Sequence, residues 1–185
     1  MKHSLKTVLS ALISLIAFTN VNAYDFKVAS NTDTIYYSKT PNPKIVFVTF
    51  KEADKSSYTG DIVIPQEIEV EGKKYIVGGI GNSAFKNCNT LTSASLPIGI
   101  EYIGDDAFRN CTALTKISLP EYVRKIGYYS FGNSGLKEIK IPAVKEVEGM
   151  AFKDCNSLKN VIMHDSIKVI GDFAFMNCYN LEKVN

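Results

Sequence analysis

Five phenylalanines recur at a near-constant interval in this 185-residue chain. Phe85, Phe108, Phe131, Phe152 and Phe175 are separated by 23, 23, 21 and 23 residues. Alanine precedes four of them, and Ser130 precedes Phe131. Aligned on the phenylalanine, the segments read IGNSAFKNCNTLTSASLP, IGDDAFRNCTALTKISLP, IGYYSFGNSGLKEIKIP, VEGMAFKDCNSLKNVIMH and IGDFAFMNCYNLEKVN. Several residue types return together at fixed offsets. Such a period marks stacked supersecondary units rather than an ordinary globular core.

Each unit has a physical reading. The run LTKISL, residues 114–119, carries apolar residues at its first, fourth and sixth places. That is the LxxLxL pattern of a short strand in a leucine-rich repeat. Pro120 then ends the strand, because proline has no ladder N–H. Val123 and Ile126 turn the chain inward again, and Gly127 permits a bend. The stretch around Phe131 is expected to form one or two helical turns, with the ring buried. A single unit buries about seven apolar side chains, worth roughly 1.5–3 kcal/mol each. Ordering its backbone costs roughly 1–2 kcal/mol per residue over some 23 residues. Burial alone loses that comparison, so the units must stack. The predicted fold class is α/β: a right-handed solenoid of five units, with a parallel sheet advancing about 4.8 Å per unit.

The pattern IGxxAFxxCxxLxxIxLP resembles the BspA-type leucine-rich repeat of bacterial surface proteins. The resemblance covers residues 80–185, and residues 60–81 (GDIVIPQEIEVEGKKYIVGGIG) resemble that family's lead-in. Unit three departs from the pattern, with Ser134 in the cysteine position and two residues fewer. Unit four has Glu148 for glycine and His164 for proline, and unit five stops at Asn185. The resemblance implies a secreted or cell-surface protein that adheres to a host extracellular protein, another cell or a surface polymer.

Three divisions follow. Residues 1–23 read as a signal peptide: Lys2 and Lys6, an apolar stretch at 8–18, then Val21-Asn22-Ala23 with cleavage after Ala23. The apolar stretch is shorter than the about 20 residues that span a bilayer. Residues 24–77 are expected to form a small antiparallel β cap, with Glu71-Gly72-Lys73 as a hairpin turn. Residues 78–185 form the solenoid. Its last unit, with Leu181 and Val184, lacks a cap, which leaves two readings: the chain is a fragment, or that end docks on something.

Charge and chemistry narrow the function. Removing Lys2 and Lys6 from the 21 basic residues leaves 19 against 19 acidic ones. A neutral chain has no electrostatic hold on nucleic acid or anionic lipid. Cys88, Cys111, Cys155 and Cys178 hold the same slot of their units, so they are expected to stack as buried thiols. Cys88–Cys111 and Cys155–Cys178 are the pairs open to oxidation. His164 is the sole histidine after residue 23 and reads as an exposed loop residue. Asp105-Asp106 and Glu146/Glu148 read as solvated turn charges. Asn110-Cys-Thr112 matches a glycosylation sequon, but its asparagine belongs to the repeat. No enzyme, cofactor or metal site is expected.

Binding is the expected use. The third and fifth places of each LxxLxL strand point outward: Lys116 and Ser118, Glu138 and Lys140, Asn160 and Ile162 in the central units. Tyr102, Tyr122, Tyr128 and Tyr129 gather on the turns around units two and three, and tyrosine is favoured at interfaces. These ten residues are the candidates for contact with a protein or polysaccharide partner on a host or bacterial surface. An alternative is a structural subunit that oligomerises through its uncapped C-terminal turn. A third reading, a glycan hydrolase using Asp105 and Asp106, has less support.

Overall fold

The computed structural model describes residues 24–29, 33–52 and 58–185. The signal peptide expected at residues 1–23 lies outside the described residues. The non-repeating part supplies β1 (Phe26–Ala29), β2 (Thr34–Lys39), β3 (Ile45–Thr49), β4 (Gly60–Val63), β5 (Glu67–Val70) and β6 (Lys73–Ile80). The repeats supply β7 (Leu91–Ser95), β8 (Tyr102–Ile103), β9 (Lys116–Ile117), β10 (Lys125–Ile126), β11 (Glu138–Ile141), β12 (Glu146–Val147), β13 (Asn160–Met163), β14 (Val169–Ile170) and β15 (Lys183–Val184).

Each repeat is one coil with two strands. The LxxLxL strands pair in parallel as β7–β9, which β4 of the lead-in extends in parallel, and as β11–β13–β15. The second strands form another parallel ladder, β6–β8–β10–β12–β14. At the N-terminal side β1, β2 and β3 pair antiparallel, and β3 joins β6 in parallel. Strands β5 and β6 form the hairpin, with positive φ at Glu71 (51°) and Gly72 (73°). Register is strict: Ile80, Ile103, Ile126, Val147 and Ile170 stand in one column. One interruption occurs. Strands β9 and β11 are not paired, and there the third coil is one residue shorter between its phenylalanine and the next leucine.

The turn face corrects one expectation. No helix occurs among the described residues; the stretch around each phenylalanine is a run of turns, so the helical part of the expected α/β class is absent. The reason lies in where the backbone donors point. Ala107, Arg109 and Cys111 donate three residues back within their own coil. Asp106, Phe108 and Asn110 donate instead to Tyr128, Ser130 and Gly132 of the next coil. A helix needs every N–H directed along its own axis. Here alternate groups leave sideways, and two residues per coil adopt the left-handed conformation to allow it. They are Ser83 and Asn87, Asp106 and Asn110, Tyr129 and Asn133, Met150 and Asp154, and Phe173 and Asn177, with φ between 51° and 62°.

The core is a file of aromatic rings. Phe85, Phe108, Phe131, Phe152 and Phe175 stack with centroids 4.8 to 5.2 Å apart and planes within 6°. A sixth ring, Tyr58, closes the file at 4.7 Å from Phe85. Its hydroxyl donates to the Thr49 carbonyl at 2.6 Å and accepts the Tyr36 N–H at 3.0 Å. Beside the rings run the four cysteines, all buried. The thiols of Cys111, Cys155 and Cys178 donate to phenylalanine carbonyls of the preceding coil at 3.0 to 3.1 Å. Ser134 holds the slot in the third coil, 3.3 Å from the Cys155 sulfur. Burial pushes the Cys111 thiol far up, so it stays protonated.

Two substitutions are expected to move stability in opposite directions in urea denaturation. Tyr58→Phe keeps the ring but strands two buried backbone groups, and costs about 1–3 kcal/mol. The Ser130 hydroxyl is buried without a hydrogen-bond partner, in a slot that is alanine in the other coils. Ser130→Ala is expected to stabilise by about 1 kcal/mol.

Candidate binding groove

The site begins where the LxxLxL strands end. Leu96-Pro97, Leu119-Pro120, Ile141-Pro142 and Met163-His164 lead the chain out of the sheet in four successive coils. Stacked together, these exits enclose a groove of about 880 Å³. That volume lies within the range of sites that take small molecules or peptide segments. Leu119 and Ile141 are buried at its base, with Met163 half-buried beside them. Ser118, Lys140 and Ile162 form one lip. Ile98, Glu121, Ala143 and Asp165 hold one equivalent loop position and form the other, with Tyr122 beside Glu121. Ile98 and Tyr122 are each 58% exposed, a high value for side chains of that size.

The groove carries charges of both signs. Elsewhere on the solenoid some charges pair from coil to coil: Arg124 with Glu101 at 3.1 Å, Lys125 with Glu148 at 2.8 Å, Lys86 with Asp106 at 3.6 Å and Lys159 with Glu182 at 3.3 Å. Among the described residues Lys140, Glu121 and Asp165 have no ion-pair partner. His164, at the end of the groove, accepts the Ser166 N–H on Nδ1 at 3.1 Å. Its neutral ring therefore carries the proton on Nε2, as a donor.

The structure sorts the ten candidate residues into three groups. Ser118, Lys140, Ile162 and Tyr122 line the groove. Lys116, Glu138 and Asn160 lie one row away on the strand face, where the Asn160 amide donates to Glu138 at 3.3 Å. Tyr102, Tyr128 and Tyr129 lie elsewhere, and no ring contact joins them to Tyr122 among the described residues. Tyr102 stacks on Phe47 at 5.4 Å, with Lys125 5.7 Å from its ring. Tyr128 is exposed, its hydroxyl 2.8 Å from the Met150 sulfur. The Tyr129 ring fills the space above Gly132, between Arg109 at 4.3 Å and Lys153 at 5.7 Å. A Cβ at Gly132 would lie 1.9 Å from that ring. Glu121, Ala143 and Asp165, one place beyond the Leu-Pro position, carry no signal in the sequence; His164 is marked only by its departure from proline and reads as an exposed loop residue.

Two acidic residues of the turns hold coils together: Asp105 accepts the Tyr128 N–H at 3.0 Å, and Asp106 pairs with Lys86 of the preceding coil at 3.6 Å. Asn110 donates to Asn87 at 2.8 Å and Asn133 to Asn110 at 3.0 Å, a ladder of side-chain amides. Asp154 takes the next rung and accepts from Asn177 at 2.7 Å and from Tyr129 at 3.0 Å. Among the described residues no three His, Cys, Asp or Glu side chains are placed to hold a metal.

Residues 78–185 match the model of the BspA-type leucine-rich repeat region, in six copies. No curated protein matches the sequence. Among solved structures, a leucine-rich-repeat protein of T. pallidum is similar at 29% identity and a TM-score of 0.70, over 81% of this chain and 67% of that one. One from Bacteroides capillosus is 26% identical with a TM-score of 0.57, over 75% of this chain and 98% of that one. One from Eubacterium ventriosum shares the fold at 24% identity and a TM-score of 0.63, over 79% of this chain but 41% of that one.

The amide of Asn177 holds the Asp154 carboxyl below the usual range, with help from the Tyr129 hydroxyl and Lys153. A lowered carboxylate stabilises the fold above its unfolded pKa near ~3.9, and that contribution is lost as pH falls through the folded value. Asp154→Asn is therefore expected to shrink the drop in Tm below about pH 4. Differential scanning fluorimetry from pH 7 to pH 2 measures it.

Proposed function

We propose that this chain, which belongs to the BspA-type leucine-rich-repeat family, is an exported surface protein that binds a macromolecular partner through the groove and catalyses no reaction. The observation that carries this reading is a groove with a buried apolar base whose lips carry Lys140, Glu121 and Asp165, none of them ion-paired among the described residues. Rigid stacking favours binding, because few side chains must be ordered when the partner arrives. Export rests on the basic, apolar and small-residue sequence of positions 1–23. No helix among the described residues is long and apolar enough to cross a membrane. The division into a β cap at 24–77 and a solenoid at 78–185 accompanies the proposal, with the groove wholly in the second part.

The strand-face residues Lys116, Glu138 and Asn160 extend the surface beside the groove. Tyr102 and Tyr129, committed to packing, are assigned to holding coils together. Immobilised protein challenged with extracellular matrix proteins and solubilised cell-surface extracts tests the reading. Ile162→Asp places a charge on the lip and is expected to weaken capture at least tenfold, as loss of a central contact does. Its Tm should stay within a few degrees, because Ile162 is already exposed. Tyr128→Ala, away from the groove, should leave capture intact. Equal capture by Ile162→Asp and the parent protein would remove the groove from the function.

A further inference from the structure

Resting on that reading of the groove, we infer that its occupant is an extended polypeptide segment whose lysine or arginine side chain seats over Ala143, between Glu121 and Asp165. Three observations converge on it.

The base is aliphatic. Leu119 and Ile141 carry no hydrogen-bonding atoms in their side chains, and Met163 carries only a weakly accepting sulfur. Sugar hydroxyls or phosphates laid against them would lose water without gaining a partner. Alternate side chains of an extended peptide point to one face and can fill such a strip with apolar groups.

The lip carries a notch. Glu121, Ala143 and Asp165 hold the same position in three successive coils. The middle one ends at its Cβ, so a gap opens between two carboxylates. Neither carboxylate has an ion-pair partner among the described residues. A long cationic side chain suits this place: its methylene stem lies on the apolar base and its head reaches the carboxylates. Arginine can in addition present two parallel N–H groups to either one.

The opposite lip sets direction. Lys140 also lines the groove and disfavours a second cation within it. It attracts an acidic side chain or a terminal carboxylate. The Ser118 hydroxyl and His164 Nε2–H remain for the peptide's own amide groups.

Panning a phage-displayed random dodecapeptide library on the purified protein tests the inference. Enriched peptides should carry a lysine or arginine flanked by aliphatic residues. Resynthesised with a fluorescent label, they should bind at least tenfold more weakly to the Glu121→Gln/Asp165→Asn double variant, and not measurably to Ala143→Arg. Both substitutions lie on exposed loop positions, and an unchanged Tm verifies folding. Enrichment of acidic or uncharged peptides would overturn the inference. So would equal affinity for the double variant, or binding of a mixed glucan and chitin oligosaccharide panel in place of peptides. If no peptide is enriched while Ile162→Asp still abolishes partner capture, the peptide assignment fails and the binding role of the groove stands. If Ile162→Asp leaves capture unchanged, the binding role itself has failed.

Discussion

Ser83, Phe85 and Asn87 each send a backbone N–H out of their own coil to a carbonyl 22 residues ahead. The next coil does the same from Asp106, Phe108 and Asn110. This alternation of inward and forward donors is satisfied only if neighbouring coils share one shape. Equal shape then forces equivalent residues into columns: rings on rings, thiols on carbonyls, amides on amides. The left-handed residues, two in each coil, bear the conformational cost. None of the ten is glycine, so the surrounding hydrogen bonds must hold them in that region.

The columns were legible because the side chains advertise them. A recurrent phenylalanine, cysteine and LxxLxL run can be read without any knowledge of backbone direction. What could not be read is what depends on the donors. Ala-Phe within a short polar stretch has the local composition of a helical turn, and nothing in Tyr129, Met150 or Phe173 signals a positive φ. Tyr58 was hidden for a different reason. It belongs to the aromatic file in space but lies outside the period, in a segment with no second copy for alignment. The groove was half visible. Ser118, Lys140, Ile162 and Tyr122 were selected because strands alternate inward and outward. Glu121, Ala143 and Asp165 sit in loops, where periodicity is silent about direction.

Irregularity concentrates in the third coil. Ser130 replaces alanine, Ser134 replaces cysteine, Gly132 removes a side chain, and the coil is shortened. The structure answers each change locally. Tyr129 fills the space over Gly132, the Ser134 hydroxyl meets the Cys155 sulfur, and the strand ladder opens between β9 and β11. Ala143, the small residue in the acidic lip, follows in the same stretch of chain. Uniform coils would repeat one surface along the whole rod. The departures give this rod a position that can be told from its neighbours, which recognition of a particular partner requires.

Forward donation from coil to coil also bears on inheritance. Since each layer asks of the next only the same outline, whole layers can be duplicated or deleted by recombination without redesigning those that remain. The lineage could therefore change the reach of this molecule in steps of one layer, while point substitutions at outward positions adjust what each layer touches. Size and selectivity become separately evolvable traits.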